Sequence, residues 1–217
     1  MRLYHYLETK WALDDIRRRR LKISKIDDMN DPYEFACVRS TDERSQAALD
    51  LNRDEVCKCA GVLCFSRSWS SVMMWSHYGD RHKGVVLGFD VSDEELRPVD
   101  YDVQELTVVG DLNVLPTREQ LRLVNLLCGG KYSGWIYEKE VRVNAKRADM
   151  DEETGLYFAD FNEKLKLKEV IAGVRFPMSR RPIEEALKGY PEHVEIIKAG
   201  RSDTGFEIVV DERGLCP

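Results

Sequence analysis

The sequence lacks any apolar run that approaches the roughly 18 residues of a membrane span, and it does not open with a secretion signal. It also lacks the glycine patterns of a dinucleotide-binding turn and of a phosphate-binding loop. No linker rich in Gly, Ser or Pro divides the chain, and no internal repeat is visible. We therefore expect a cytoplasmic protein without a membrane partner, folded as a single domain over residues 1–217.

Cysteine is scarce, with six residues in a chain of 217, at positions 37, 57, 59, 64, 128 and 216. In the reducing cytosol such a set does not predict disulfides. Cys57, Cys59 and Cys64 have the spacing of half a zinc site, but no second pair at ligand spacing completes it. We therefore expect no bound metal.

An excess of positive charge is also missing, since 33 basic residues stand against 39 acidic ones and the formal charge is −6. This balance argues against a protein that coats nucleic acid. One basic cluster is present, the run Arg17, Arg18, Arg19 and Arg20 at the end of a predicted helix. Two interpretations stay open for it: a solvated helix end, where cations suit the helix dipole, and a patch that contacts phosphate groups.

The stretch from Ser66 to Asp90 holds two of the four tryptophans and two of the four histidines. Apolar strands are predicted on either side of a helix over residues 70–79. On that helix, which we expect to be buried on most sides, Met74, His77 and Tyr78 share one face. That face can line a pocket, or else His77 and Tyr78 hydrogen-bond inside a core.

Two earlier segments carry further candidates. Residues 3–7 alternate as a strand that places His5 on the same side as two leucines, where a hydrogen-bonded core histidine is the default interpretation. In the loop over 27–34, turn chemistry explains Asn30 and Pro32. The acidic and aromatic residues beside them exceed what a turn requires, which indicates a functional loop. These residues are Asp31, Tyr33 and Glu34.

A predicted strand over residues 135–143 places Glu138, Glu140 and Arg142 on one face. Neighbouring carboxylates repel, so either an exposed pairing with Arg142 or a functional site explains them. Because neutralising one of two carboxylates that repel each other relieves the repulsion, we expect Glu140→Gln to leave the stability of the protein almost unchanged.

The C-terminal third contains four strand-like runs and a helix over 181–188. The four strands complete the sheet of an α+β fold.

Several short motifs resemble, in their order, those of a large bacterial family of domains of unknown function. They are Tyr4-His5-Tyr6, Asn30-Asp31-Pro32-Tyr33-Glu34, Cys64-Phe65-Ser66, Met74-Trp75-Ser76-His77-Tyr78, Lys83-Gly84-Val85 through Phe89-Asp90, and Tyr137-Glu138-Lys139-Glu140 with Arg142. The resemblance covers residues 3–142, and the C-terminal third carries none of these motifs.

The motif order is also similar, at greater distance, to the ADP-ribosyltransferase superfamily of the His-Tyr-Glu type. This resemblance implies a split mixed or antiparallel sheet with flanking helices, and NAD as substrate. It implies that His5 binds a ribose and that Tyr78, with Trp75, stacks on the nicotinamide. It also implies that Glu140, with Glu138 beside it, acts at the nicotinamide ribose. Ser66 stands where related transferases have a Ser or Thr, and His77 beside a single tyrosine departs from their pair of spaced tyrosines.

These residue types suit that reaction, because cleavage of the nicotinamide-ribose bond builds positive charge that a fixed carboxylate stabilises. We therefore predict an NAD-dependent transferase that modifies a macromolecule, with a toxin or a phage-defence effector as its setting. Two alternatives stay open: a metal-dependent nuclease and a non-catalytic domain that binds a ligand or a protein. The nuclease requires a magnesium cage formed by Asp31, Glu34, Asp90, Glu138 and Glu140.

Overall fold

The computed structural model describes residues 1–34, 37–102, 106–111, 114–147 and 149–216. In these ranges the helices are α1 (Thr9–Arg18), α2 (Glu43–Cys59), α3 (Val72–His77), α4 (Thr117–Gly129) and α5 (Arg181–Ala186). The strands are β1 (Arg2–Leu7), β2 (Arg20–Lys22), β3 (Ser24–Lys25), β4 (Val38–Ser40), β5 (Ala60–Ser66), β6 (Val85–Val91), β7 (Leu96–Pro98), β8 (Leu106–Val108), β9 (Glu140–Lys146), β10 (Phe158–Asp160), β11 (Leu165–Ala172), β12 (Glu195–Arg201) and β13 (Ile208–Val210).

One large mixed sheet dominates the fold, with the order β13-β12-β11-β6-β1-β5-β9-β7, and β3 pairs with β5. Only β11 and β12 run parallel among these pairs. The α+β class with a mixed sheet and flanking helices is therefore confirmed. The C-terminal strands do not all join this sheet, because β10 pairs with β2 in a separate two-stranded sheet.

The large sheet opens between β1 and β5. Strand β1 pairs with β6 along its whole length, from Arg2↔Asp90 to Leu7↔Val85, whereas β1 and β5 share the single registered pair Tyr4↔Ser66. Beyond that pair the two strands separate. This opening places side chains of both strands around a common space.

The core lies on both faces of the sheet. Helix α1 packs against one face, where its Ile16 joins a cluster with Leu87 and Phe89 of β6. On the opposite face Val86 joins a second cluster around Trp75 of α3. Strand β6 is therefore buried on both sides, as its continuous apolar sequence predicts for a central strand.

Helix α3 is shorter and more exposed than predicted. It spans six residues and begins after Ser71, whose side chain accepts a hydrogen bond from the backbone nitrogen of Met74. Met74 is buried, but Val72 and Met73 are 37% and 48% exposed. The expectation of burial on most sides is therefore wrong, because the sheet covers only one side of this helix.

The strand predicted over 135–143 begins only at Glu140. Residues Ser133–Glu138 form a 3-10 helix, and Lys139 follows in the left-handed conformation with φ 47°. This bend means that Glu138 and Glu140 are not neighbours on one strand face. The change of direction instead lets both carboxylates reach a buried lysine.

None of the described helices combines the length and the apolar character that a membrane crossing requires.

Candidate functional site

A cavity of about 240 Å³ lies where β1 and β5 separate. Strand β1 contributes Tyr4, His5 and Tyr6 to its wall, and β5 contributes Cys64, Phe65 and Ser66. The rest of the lining comes from Ser24, Asp28, Met29, Asn30, Met74, Tyr78, Lys131, Glu138 and Glu140. The wall therefore combines aromatic rings with a charged end.

The charged end is a buried network of three carboxylates and two cations. Lys131 donates to Glu138 Oε2 at 2.6 Å and to Glu140 Oε2 at 2.8 Å. Arg142 binds both oxygens of Glu140, at 2.8 and 3.1 Å, and donates to Glu34 Oε1 at 2.7 Å. All five side chains are at most 5% exposed. Charges this deeply buried are stabilised only by such pairing.

The network holds one negative charge in excess when every carboxylate is ionised. Burial opposes the ionisation of Glu140, but the hydrogen bond and charge of Arg142, with the charge of Lys131, outweigh it and lower the pKa of Glu140 to about 2. Burial likewise opposes the charge of Lys131, yet Glu140 and Glu138 raise its pKa above the ordinary value. Glu140 and Lys131 are therefore both charged at neutral pH.

Tyr78 connects the network to the N-terminal loop. Its hydroxyl donates to Glu138 Oε1 at 2.5 Å and accepts from Asn30 Nδ2 at 2.6 Å. Burial and the bond to Glu138 raise the pKa of Tyr78. Ser66 Oγ donates to the backbone oxygen of Glu138 at 2.6 Å and so fixes the 3-10 helix against β5.

His5 presents an acceptor to the cavity. Its Nδ1 lies 2.7 Å from the backbone oxygen of Cys64, and because a carbonyl only accepts, Nδ1 carries the hydrogen. Burial lowers the pKa of His5 more than this bond raises it, so the ring is neutral at pH 7. The second nitrogen, Nε2, is then an acceptor, and no side chain in the described ranges hydrogen-bonds to it.

The structure brings together six of the residues predicted from sequence for the site: His5, Asn30, Ser66, Tyr78, Glu138 and Glu140 all line the cavity. Glu34 lies behind them, bound to Arg142. Asp31 is buried and accepts from the backbone nitrogen of Tyr33, while the Tyr33 ring is 56% exposed. His77 is exposed, with its ring 5.8 Å from that of Tyr137.

Trp75 does not line the cavity. Its ring is fully buried, with Nε1 donating to the backbone oxygen of Trp69 at 2.6 Å. The ring meets Tyr6 edge-on and stacks on His82. Its place is therefore behind the cavity wall, where it supports Tyr6 instead of offering a face for stacking.

The two cations of the network were not predicted as the structure shows them. Lys131 carries no motif of its own, and its role depends on the bend that brings Glu138 and Glu140 to it. Arg142 is 2% exposed, so the pairing predicted for it exists but is buried. The signal that points to both is the pair of nearby carboxylates, which requires counter-charges.

The magnesium cage proposed for a nuclease does not assemble as one set of free carboxylates. Glu34, Glu138 and Glu140 already bind Lys131 or Arg142. Asp90 pairs with Arg2 at 2.8 Å and does not line the cavity. In the part of the chain that the structure describes, no group of three or more His, Cys, Asp or Glu residues is arranged to hold a metal ion.

The arginine run lies where α1 ends, and its charges are largely paired. Arg18 donates to Asp14 and Glu153, and Arg20 donates to Asp151. Arg19, with φ 53°, donates to a backbone oxygen and stacks on the ring of Tyr190. This arrangement favours the helix-end interpretation.

Residues 74–143 match a family described as proteins of unknown function (DUF2971). The matched segment runs from α3 into β9 and so contains Tyr78, Lys131, Glu138, Glu140 and Arg142. The resemblance to a family of unknown function is supported over this segment. No curated protein and no solved structure matches the chain.

Proposed function

We propose that the protein is an NAD-dependent ADP-ribosyltransferase that modifies a macromolecule, in a toxin or phage-defence setting. One observation carries the proposal: His5, Tyr78 and Glu140, which are far apart in the sequence, line one cavity at the opening of the sheet. These are the residues to which the His-Tyr-Glu resemblance assigns ribose binding, nicotinamide stacking and the catalytic carboxylate.

The charge of the cavity suits this reaction. With every carboxylate ionised, the network has one negative charge in excess, and Glu138 and Glu140 are the two carboxylates of that network that line the cavity. The nicotinamide ring of NAD is a cation, and its departure leaves positive charge on the ribose. A fixed carboxylate in a desolvated site stabilises that developing charge without reorganising. Glu140, held ionised by Arg142, serves this role, and Glu138 orients the acceptor.

The volume of the cavity limits what enters it. Ligand pockets commonly span roughly 300–1,000 Å³, so a cavity of about 240 Å³ is small for a whole dinucleotide. We place the nicotinamide and its ribose inside, with the ring against Tyr78 and a hydroxyl on His5 Nε2. The adenosine half then lies outside the cavity.

The direct test supplies NAD carrying a label on its ADP-ribose to the purified protein with a cell extract, and follows nicotinamide release and labelled macromolecules. We expect both with the wild-type protein. We expect His5→Ala and Glu138→Gln to lower the rate by roughly 10²- to 10³-fold, since each removes a contact to the reacting sugar or acceptor.

Asp151→Asn is the matched control for this assay. It breaks the partly buried ion pair with Arg20, at a carboxylate that does not line the cavity. Its rate should equal that of the wild-type protein. Unchanged rates in His5→Ala and Glu138→Gln, measured on samples with native circular dichroism, would show that the reaction occurs elsewhere.

The charge on the nicotinamide gives a second test, which needs no turnover. NAD and its reduced form differ at the ring, which is cationic in NAD and neutral in the reduced form. Because the network carries an excess negative charge when every carboxylate is ionised, we expect NAD to bind roughly tenfold more tightly than its reduced form, about 1.4 kcal/mol. Titration calorimetry with both forms measures this. Equal affinities contradict the placement of the ring beside Glu138 and Glu140.

A further inference from the structure

Lys131 is a buried cation at the edge of the cavity. Its side chain is 3% exposed, and it is the one Lys or Arg among the described residues that line the cavity. Transfer of an ammonium group from water into a protein interior is strongly unfavourable, even after the protein relaxes around it. The fold places this group at the cavity wall in spite of that cost.

The hydrogen bonds of Lys131 leave one donor uncommitted. An ammonium group has three N–H donors. Two of them reach Glu138 and Glu140, at 2.6 and 2.8 Å. The third carboxylate of the network reaches Lys131 only with Glu34 Oε1 at 3.6 Å, which is beyond hydrogen-bonding distance. The ring of Trp135, centred 5.4 Å from Nζ, stabilises the charge but accepts no conventional hydrogen bond.

We propose that Lys131 binds the ligand of this cavity: two of its N–H groups hold Glu138 and Glu140 in position, and the third donates to a sugar hydroxyl. The inference rests on the proposed function for the identity of that sugar, the nicotinamide ribose. A hydroxyl both donates and accepts. The cavity offers acceptors at His5 Nε2 and at the two carboxylates, and Lys131 supplies the complementary donor. A vicinal diol satisfies both kinds of group at once.

The test measures binding to nicotinamide riboside and to its 2′-deoxy and 3′-deoxy analogues by titration calorimetry. A site built to hydrogen-bond a hydroxyl discriminates against an analogue without it, because its own polar group is left unpaired. For the wild-type protein we expect the riboside to bind at least roughly tenfold more tightly than one of the two deoxy analogues. In Lys131→Ala this preference should fall to less than about twofold.

Lys131→Arg and Lys164→Ala complete the set of variants. Lys131→Arg keeps the charge and N–H donors, so it should fold and retain a measurable part of the preference even if Lys131→Ala does not fold. Lys164 pairs with Glu95 on the surface, and its removal should leave the preference unchanged. In Lys131→Ala, millimolar ethylammonium should restore the preference for the riboside and ethanol should not, because only the ammonium replaces both the missing charge and the N–H donors.

The outcomes separate this inference from the proposed function. Riboside binding that depends on Lys131, without turnover of NAD, supports the inference and ends the proposed transferase. Turnover of NAD with an unchanged preference in Lys131→Ala, or with no preference left in Lys131→Arg, overturns the inference and leaves the transferase standing. A wild-type protein that binds none of the three ribosides also overturns the inference.

Discussion

Glu140 is held from two sides, and this changes what its removal does to the protein. Arg142 binds both of its oxygens and Lys131 lies between it and Glu138. The repulsion between carboxylates that the sequence suggests is therefore already compensated. The premise that neutralising Glu140 relieves strain does not hold in the folded protein.

We predict that Glu140→Gln lowers the free energy of unfolding by roughly 2–4 kcal/mol, because it leaves two buried cations with one counter-charge fewer. Asp151→Asn, which breaks a less deeply buried pair with Arg20, should lower the free energy of unfolding by less than Glu140→Gln does. Denaturant unfolding of both variants measures the difference. A Glu140→Gln protein as stable as the wild type would mean that the network contributes nothing net.

At the scale of single residues, the sequence could indicate which side chains are unusual but not which of them meet. His5, Tyr78 and Glu140 are recognisable from their motifs. Lys131 is not, because nothing in the sequence around it distinguishes it from a lysine on the surface. Its importance arises from the bend at Lys139, and that bend is stabilised by the same contacts that it creates.

Among the described elements, the turn between α3 and β6 has three consecutive residues in a strained backbone conformation. Asp80, Arg81 and His82 have φ values of 47°, 53° and 70°, in the left-handed region. Such a conformation costs roughly 1–3 kcal/mol for each residue other than glycine. Backbone hydrogen bonds hold it, from His82 to the Trp75 oxygen and from Arg175 to the His82 oxygen. The turn thereby fixes His82 against the Trp75 ring.

Gly173 lets this turn approach the sheet. A Cβ atom on Gly173 would lie 2.3 Å from the backbone oxygen of His82, which is closer than real contacts allow. We therefore predict that Gly173→Ala destabilises the protein by more than about 2 kcal/mol, as overpacking against backbone does. Gly205 is the control, since a Cβ atom there meets nothing within 4 Å. Thermal unfolding of Gly173→Ala and Gly205→Ala tests this prediction, and equal melting temperatures of the two variants would contradict it.

Elements with a clear local period were predictable, and elements set by distant contacts were not. Strand β6 was predicted because Val85, Val86 and Leu87 are continuously apolar. Residues 135–138 were predicted as the start of a strand that runs to residue 143, yet they belong to a 3-10 helix because its end carries Glu138 to Lys131 and Tyr78. No local pattern contains those two partners.

The order of the strands in the sheet is harder to predict from sequence patterns than the elements themselves. An α+β fold follows from the mixture of helical and strand periods. The position of β1 between β6 and β5 depends on pairings over long stretches of chain, such as Tyr4 with Gly88 and with Ser66. Periodicity fixes the faces of a strand but not its neighbours.

For the whole molecule, two buried carboxyl groups act on stability in opposite directions as the pH changes. The folded-state pKa of Glu140 is depressed from 4.5 to about 2, so its contribution is present above pH 4.5 and is lost as the pH falls toward 2. Burial, with the charge of Asp14, raises the pKa of Asp15 from 3.8 to about 7, although Arg20 opposes the shift. Its contribution is present below pH 3.8 and is lost as the pH rises toward 7.

We predict from these two groups a stability maximum at about pH 4–5. Asp15→Asn removes the second effect, so it should raise the melting temperature at pH 8 more than at pH 4.5, and it should move the maximum toward neutral pH. Melting curves from pH 3 to pH 8 measure both changes. The same gain at both pH values would show that Asp15 does not titrate in this range.

The central place of β1 also has a consequence in time. This strand leaves the ribosome before β6, its partner along its whole length, which follows about 80 residues later, roughly 4 to 16 seconds at ordinary rates of synthesis. The other wall of the cavity forms later still, because β5 pairs with β9, which ends at Lys146. During that interval Leu3, Tyr4 and Tyr6 have no sheet to join. The apolar side chains of β1 are thus a natural binding site for chaperones on the nascent chain, and the cavity forms only after β9 has been made.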